Sequence, residues 1–89
     1  MNTLKLTLQF KKDLKRYKHN HETIGKLEEI LRLLANGLPI PEINRPHLLT
    51  GNYNGYMECH VESDTLLIWW DKDTGVIKLV RFGSHSELF

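Results

Sequence analysis

The sequence predicts an α+β domain in which two N-terminal helices pack on one face of an antiparallel sheet. Apolar residues recur at helical spacing in two segments of the first 35 residues. Three segments of the second half are rich in β-forming residues and are separated by turn residues. A chain of 89 residues has room for one modest core. The predicted order is therefore β-α-α-β-β-β in one domain over residues 1–89.

The first two predicted elements are a short strand and a basic helix. Residues 3–8 alternate apolar and polar, which is the period of a half-buried strand. Phe10, Leu14 and Tyr17 then follow at spacings of four and three, which place them on one stripe of a helix. We expect this helix to span residues 9–19.

A stronger apolar stripe predicts a second helix that ends near residue 35. Asn20 is a suitable N-cap for it, and Gly37 supplies the C-terminal stop. Prolines in the polar stretch 39–51 prevent continuation, so this stretch is predicted to be a loop. The stripe consists of Ile24, Leu27, Ile30, Leu31 and Leu34.

The second half predicts three strands in a meander. They span residues 56–61, 65–70 and 76–82. Residues 71–75 read as a turn, and residues 84–89 as a short tail. Sequential strands of this kind pair side by side and form an antiparallel sheet.

Alternation along the strands also predicts which side chains face each other. Glu58 and His60 share one face of their strand, and Cys59 points the opposite way, where it serves as a small buried hydrophobe. Trp69 and Trp70 are adjacent and must face opposite sides. One belongs to the core, whereas the other covers the sheet or stacks on a base or a partner.

Composition narrows the compartment and the class of protein. No apolar run approaches the ~20 residues of a membrane span, and the N-terminal residues have no apolar segment of a secretory signal. The single cysteine excludes an intrachain disulfide. We therefore expect a cytoplasmic protein without a membrane partner.

The net charge of +1 hides an asymmetry along the chain. Residues 1–19 carry six basic side chains and one acid, whereas residues 20–89 carry six basic and ten acidic side chains. A basic first helix favours an anionic partner, although a solvated helix face explains it equally well. Its basic residues are Lys11, Lys12, Lys15, Arg16 and Lys18.

The residues with the chemistry of a nucleolytic site lie in the second half. Cleavage of RNA without a metal needs a base for the 2′-hydroxyl, an acid for the leaving 5′-oxygen and a cation for the phosphoryl oxygens. A meander gathers such groups on one sheet surface and its rim. The candidates are His47, Glu58, His60, Asp64, Arg81 and His85.

Each candidate also has a simpler interpretation. Asp64 follows Ser63 and fits a turn, and Arg81 can be an exposed strand charge. Three histidines and an acid can also form a zinc site, but the usual ligand spacings are missing and a neighbouring arginine opposes a metal. We therefore predict no metal and no cofactor, and regard His19 and His21 as incidental. A binding module with scattered histidines stays open at this point.

Three sequence motifs in this half resemble the YafQ branch of the RelE/ParE toxin superfamily. They are H-x-L-x-G at 47–51, G-Y-x-[ED]-x-H-[VI]-x-x-D at 55–64 and G-[ST]-H-x-x-L-F at 83–89. Residues 66–69 and the start of the last segment at Arg81 fit the same pattern. The first half agrees in layout but contains little diagnostic sequence.

The resemblance implies a RelE-like microbial RNase fold and a type II toxin–antitoxin toxin. Such toxins are endoribonucleases that cut mRNA, typically on the ribosome, and stop translation. By position, the resemblance assigns the phosphate to Arg81 and the terminal aromatic residue to Phe89. It assigns catalysis to His47, His60, Asp64 and His85, with Glu58 where the family can have aspartate.

We hypothesise that His85 and Asp64 act on the 2′-hydroxyl as base and base-orienter, and that His60 or His47 protonates the 5′-oxygen. The sequence does not fix the distances, so these roles can be exchanged among the residues. The resemblance also implies partners. A cognate antitoxin blocks the site, and operator DNA is bound only through the antitoxin complex. The alternative is a ParE-like toxin that shares the fold, binds DNA gyrase and cuts no RNA.

Overall fold

The computed structural model describes all of residues 1–89, and its elements follow the predicted β-α-α-β-β-β order with two additions. The additions are a two-residue strand in the long loop and a short C-terminal helix. In chain order the elements are β1 (Thr3–Leu6), α1 (Leu8–Lys15), α2 (His21–Ala35), β2 (His47–Leu48), β3 (Met57–Glu62), β4 (Thr65–Asp73), β5 (Val76–Ser84) and α3 (His85–Leu88).

The five strands form one sheet in the order β1-β5-β4-β3-β2. Strands β3 to β5 pair antiparallel as predicted, and β2, which lies in the predicted loop, pairs antiparallel with β3. The prediction of a wholly antiparallel sheet needs one correction, because β1 runs parallel to β5. The reason is the topology of the chain. Helices α1 and α2 carry the chain from β1 to the far edge of the sheet, and the antiparallel strands then lead back until β5 lies beside β1 and runs in the same direction.

The two long helices cover one face of this sheet and bury the main core there. Asn20 caps α2 as predicted, with its side chain accepting a hydrogen bond from the Thr23 amide at 3.2 Å. Burial raises the pKa of the Cys59 thiol to about 12, so Cys59 is the inert, buried residue that the alternation predicts. The core consists of Phe10, Leu27, Ile30, Leu34, Cys59, Val61, Leu67, Trp69, Ile77, Leu79 and Phe82.

Several element boundaries differ from the predicted ones for local reasons. Strand β1 stops at Leu6 because Thr7 becomes the N-cap of α1 and accepts from the Phe10 amide. Helix α1 stops at Lys15, well before residue 19. Strand β4 continues through residues 71–73, which were predicted to be a turn, because they still pair with β5 and the reversal needs only two residues.

Both edges of the sheet are shorter than the strands that they border. Strand β1 pairs only with residues 76–79 of β5, and β2 only with residues 57–58 of β3. Beyond the end of β1, the Asp13 carboxylate accepts a hydrogen bond at 3.0 Å from the backbone amide of Phe82, which no edge strand pairs. Beyond β2, the Asn44 side chain donates to the carbonyl of His60 at 2.8 Å. Side chains thus satisfy backbone groups that a longer edge strand would pair.

The face of the sheet opposite the two long helices, here called the open face, is covered only in part. Helix α3 packs Leu88 there against Leu66 and Ile68. Partly buried Tyr53 and Tyr56 border this small cluster. None of the helices is long and apolar enough to cross a membrane.

Gly83 is the point where α3 folds back onto β5, and it leaves no space for a side chain. A Cβ there would lie 2.8 Å from Oε1 of Glu87 and 3.4 Å from Cδ2 of Leu88. We expect Gly83→Ala to lower the free energy of unfolding by about 1–3 kcal/mol, as overpacking does. Thermal or urea unfolding measures this change.

The matched control is Gly25→Ala, at an exposed position of α2 where a Cβ meets nothing within 4 Å. This change is expected to stabilise the protein by about 0.5–1 kcal/mol, because alanine restricts the unfolded chain more than glycine does. Equal effects of the two substitutions would contradict the tight packing at Gly83.

Candidate active site

Four residues from neighbouring strands form one row across the open face. The pairing register places His47 opposite Glu58, Glu58 opposite Ile68, and Ile68 opposite Arg81. Paired residues of adjacent strands point to the same side, and each strand lies about 4.8 Å from the next. The row therefore brings three of the predicted site residues to one surface, with Ile68 between Glu58 and Arg81.

A β-bulge determines the direction of Arg81. Ile68 pairs with Arg81 but Trp69 pairs with Leu79, so Val80 is an extra residue in β5. The bulge reverses the regular alternation, and both Val80 and Arg81 lie on the open side while Leu79 is in the core. Bulges commonly redirect a side chain beside an active site.

His47 and Glu58 form a close pair. Nε2 of His47 lies 3.1 Å from Oε1 of the buried Glu58, and Nδ1 lies 2.7 Å from the carbonyl oxygen of Arg45. Arg45 has a left-handed backbone (φ +50°), an uncommon conformation for a residue with a side chain, and it directs this carbonyl at the ring.

Both ring nitrogens of His47 face oxygen atoms that can accept a hydrogen bond, one from Glu58 and one from Arg45. The other carboxylate oxygen of Glu58 is buried and has no hydrogen-bond partner in the protein. The contact with His47 is therefore the one polar side-chain contact of this carboxylate.

Arg81 is held by Asp13, a fully buried residue of α1. Nε of Arg81 donates to Oδ2 of Asp13 at 2.8 Å, and Nη2 donates to Oδ1 at 3.3 Å. Nη1 donates to the Tyr53 hydroxyl at 3.4 Å. Of the five guanidinium donors, these contacts use three, so two stay available to a phosphate.

The pKa values of this ion pair shift in opposite directions. Burial by itself raises the pKa of Asp13, but hydrogen bonds from Arg81, the Phe82 amide and Gln9 outweigh burial, and the pKa lies below its ordinary value of 3.8. The hydrogen bond to Asp13 raises the pKa of Arg81 above its already high ordinary value. Both groups are therefore charged at neutral pH.

His85 begins α3, and a capping box fixes that helix. The Ser84 side chain accepts from the Glu87 amide, and Glu87 accepts from the Ser84 amide at 2.7 Å. Tyr17 from the segment after α1 donates to Glu87 at 2.5 Å. Burial and this bond raise the pKa of Tyr17 to about 12. The bond also lowers the pKa of Glu87.

The exposed ring of His85 stacks on Phe89, with centroids 5.0 Å apart and planes at 29°. Phe89 in turn meets Tyr53 edge-on at 5.7 Å. Since Tyr53 also contacts Arg81, the structure links the terminal helix to the arginine through two aromatic rings.

The side chains of His60 and Asp64 form no hydrogen bond or ion pair with the other predicted site residues. His60 lies in the next row, opposite Leu66, and borders a groove of about 750 Å³ between α2 and β3. Asp64 is exposed in the turn between β3 and β4, directly before the paired residues Thr65 and Ser84. No three histidine, cysteine or acidic side chains come together at metal-binding geometry.

The predicted basic surface divides into two kinds of residue. Lys11, Lys12 and Lys15 are exposed on α1, and Lys18 is exposed in the turn after it. Arg16 is different, because its guanidinium lies 3.7 Å from Asp13 and 3.9 Å from Glu87. Arg16 therefore contacts the two carboxylates that hold the site together.

Sequence reasoning missed Asp13, Tyr53, Tyr17 and Glu87 as parts of this site. A signal for Asp13 was present: it lies on the apolar stripe of Phe10 and Leu14, where a lone acid calls for a buried partner. The pattern Ser84-x-x-Glu87 also matches a capping box. The sequence contains no comparable sign for Tyr53, since its contacts with Arg81 and Phe89 come from the distant C-terminal part of the chain.

The comparison with known proteins gives one consistent result. The family model described as a bacterial toxin of type II toxin–antitoxin system, YafQ, matches residues 2–89. The mRNA interferase toxin YafQ of Escherichia coli K12 is 37% identical over 82 residues, which cover 91% of this chain and 88% of that protein.

Solved structures agree with this result. A metal-bound toxin from Helicobacter pylori superposes with a TM-score of 0.88 and 36% identity over 100% of both chains. The toxin of the E. coli DinJ–YafQ toxin–antitoxin complex superposes with a TM-score of 0.85 and 32% identity, covering 99% of this chain and 97% of that one.

Removal of the Asp13 charge tests how far the buried ion pair with Arg81 stabilises the protein. We expect Asp13→Asn to lower the free energy of unfolding by about 3–5 kcal/mol, because Arg81 loses its buried partner. The exposed control Asp71→Asn should change it by less than about 0.5 kcal/mol. Chemical denaturation at pH 7 measures both.

The same ion pair predicts a pH dependence. The pKa of Asp13 is lower in the native protein than its ordinary value of 3.8. Its contribution to the free energy of unfolding is therefore complete above pH 3.8 and is lost as the pH falls through the lower native pKa. The parent should lose stability on acidification below about pH 4 more steeply than Asp13→Asn. Parallel curves for the two proteins would exclude a stabilising role of this carboxylate.

Proposed function

The chain belongs to the YafQ family of bacterial toxins from type II toxin–antitoxin systems, and we propose that it cuts mRNA with the side chains of its open face. It is an mRNA interferase, an endoribonuclease that stops translation. One observation carries the proposal: the close His47–Glu58 pair, the anchored Arg81 and the exposed His85 border the same side of one sheet. These are the acid, cation and base that the reaction needs.

Arg81 holds the scissile phosphate in this mechanism. The buried Asp13 fixes the guanidinium through two of its nitrogens, so the two remaining donors are preorganised for phosphoryl oxygens. Preorganised charge of this kind stabilises the extra negative charge of the phosphorane without rearrangement.

His85 acts as the base and His47 as the acid. An unprotonated nitrogen of His85 takes the proton of the 2′-hydroxyl, and the 2′-oxygen forms a bond to phosphorus as the bond to the 5′-oxygen breaks. In its protonated form, His47 gives a proton to that leaving oxygen, and the Glu58 carboxylate beside Nε2 orients the ring. The products are a 2′,3′-cyclic phosphate, or the 3′-phosphate after it opens, and a 5′-hydroxyl.

The remaining predicted residues support this chemistry from the border of the site. Phe89 stacks on His85 and restrains its ring. Asp64 forms no hydrogen bond with His85, so its role as base-orienter stays a prediction, as does proton donation by His60. No step requires a metal or a cofactor. Since a related toxin from H. pylori is metal-bound, chelation is an informative test.

The partners follow from the same family. We propose that a cognate antitoxin neutralises this chain in the cytoplasm, as DinJ pairs with the E. coli YafQ, and that operator DNA is bound only by the joint complex. The mRNA is proposed to be cut on the ribosome, with the exposed lysines of α1 and the following turn against RNA phosphates. The gyrase-binding alternative gains no support from any of the comparisons reported above.

Loss of His85 should remove the activity without unfolding the protein. We expect His85→Ala to cut at least about 100-fold more slowly, the usual effect of removing a positioned base or acid, while His19→Ala, an exposed histidine outside the site, cuts normally. Cleavage of single-stranded RNA and of mRNA on programmed ribosomes is measured in the presence of EDTA.

Three outcomes would contradict the proposal. If His85→Ala cuts as fast as the parent, His85 is not the base. If the parent cuts only without EDTA, the mechanism requires a metal. Gyrase inhibition with no cleavage in either format would replace the proposal by the ParE-like alternative.

The basic helix predicts a dependence on salt. Each of the changes Lys11→Gln, Lys12→Gln and Lys15→Gln should reduce the slope of log affinity for RNA against log salt by about 1, because one fewer counterion is released. Arg32→Gln, at the exposed end of α2, removes the same charge as a control. If all four slopes equal that of the parent, α1 does not contact phosphates.

A further inference from the structure

The two adjacent tryptophans occupy opposite faces of the sheet, as their alternation predicts. Trp69 is buried in the main core. Trp70 is only partly buried and packs on the ring of Tyr56, with centroids 4.8 Å apart and planes at 56°. None of the steps proposed above uses Trp70 or Tyr56, although both are large aromatic side chains on the face that carries the site.

Trp70 and Tyr56 line a cleft of about 450 Å³ on this open face. The other walls are Thr7, Asp73, Lys78 and Val80. The ammonium of Lys78 lies 3.2 Å from the Asp73 carboxylate, and both side chains are close to half exposed. The cleft thus combines two aromatic surfaces with one hydrogen-bond donor and one acceptor at its rim.

The backbone near the cleft is shaped around the Trp70 ring. A Cβ on Gly55 would lie 3.3 Å from Cζ3 of Trp70, and Gly55 has a positive φ of +90°. Nζ of Lys72 lies 5.8 Å from the centroid of the same ring. The loop therefore supports one side of the tryptophan, and a cation lies next to it.

A line of aromatic contacts connects this cleft with the cleavage residues. Tyr56 meets Tyr53 at 5.9 Å, Tyr53 meets Phe89 at 5.7 Å, and Phe89 stacks on His85. Val80, in the wall of the cleft, is also the direct chain neighbour of Arg81. The cleft and the site are thus parts of one continuous surface.

We propose that this cleft is a subsite for an unpaired nucleobase of the RNA strand, at a nucleotide beyond the scissile phosphate. The base stacks on Trp70 and Tyr56, and its polar edge meets Asp73 and Lys78. Lys72 lies close enough to serve the adjoining phosphate. This inference rests on the proposed RNA cleavage, because an RNA strand reaches this cleft when its scissile phosphate is bound at Arg81.

The chemistry of the cleft favours a base over other occupants. A carboxylate at the rim opposes a phosphate inside the cleft but accepts hydrogen bonds from base amino groups. Aromatic side chains on a groove with cations are the usual surface for single-stranded RNA, where stacking contributes about 1–3 kcal/mol per base. A protein helix would seek exposed aliphatic side chains, and none of them lines the cleft. These side chains are Leu6, Leu8, Leu38, Ile43 and Leu48.

Binding of a labelled RNA to an inactive protein tests the subsite directly. In the His85→Ala background, fluorescence anisotropy measures the affinity for a fluorescein-labelled, single-stranded RNA of eight nucleotides. Trp70→Ala is expected to weaken binding about tenfold, within the range of one lost stacking contact. Trp70→Phe, which keeps an aromatic face and the fold, should stay within about threefold of the background.

Two controls separate a subsite from a general defect. Ile43→Ala, an exposed apolar residue on another surface, should bind like the background. A dinucleotide reaches only the scissile position, so Trp70→Ala should leave its affinity unchanged. Equal weakening for the dinucleotide and the longer RNA would overturn the subsite, and so would unchanged affinity for both.

Other outcomes distinguish this proposal from the proposed function. If the longer RNA binds tightly and Trp70→Ala does not change its affinity, the subsite proposal is wrong, whereas the proposed RNA cleavage still stands. If Trp70→Ala weakens RNA binding while His85→Ala still cuts, the subsite stands and the catalytic assignment fails. If Trp70→Ala weakens binding of the antitoxin but not of RNA, the cleft is a protein-binding surface and the subsite proposal is wrong. If no variant binds RNA, both proposals are wrong.

Discussion

The buried carboxylate of Asp13 is the contact on which the site depends. It accepts hydrogen bonds from the guanidinium of Arg81 and from the backbone amide of Phe82, so one side chain closes the sheet edge and holds the cation. An uncompensated charge at this depth is costly, whereas the paired charges satisfy each other. Helix α1 and strand β5 must therefore keep their relative position for Arg81 to act as the proposed phosphate ligand.

The site is assembled where regular secondary structure stops. Edge strands β1 and β2 are too short to cover their neighbours, and side chains complete the hydrogen bonding there. The bulge at Val80 directs Arg81 to the open face, and the capping box at Ser84 starts the helix that carries His85. Irregular positions of this kind free backbone and side-chain groups for chemistry while the core beneath them stays packed.

The predictable parts of the fold are those that local patterns specify. The stripe of α2 and its cap at Asn20 were predicted closely, because a helix of this length repeats its pattern several times. Helix α3 was predicted to be an irregular tail, because four residues are too few to form an apolar stripe. The one local sign of this helix is the capping box of Ser84 and Glu87. The end of β4 was misplaced because residues 71–73 are polar, and their strand conformation comes from pairing with β5.

By itself, the sequence determined the fold class, the opposite faces of Trp69 and Trp70, and the histidines and arginine suited to RNA chemistry, and its motifs already pointed to the YafQ family. Only the tertiary structure decided which of these groups meet. Asp13 and Arg81 are 68 positions apart in the chain, and the His47–Glu58 pair depends on the register of two strands. The reason is physical: a slip of one residue turns every side chain of a strand to its other face, so contacts across a sheet are properties of the pairing and of no local segment.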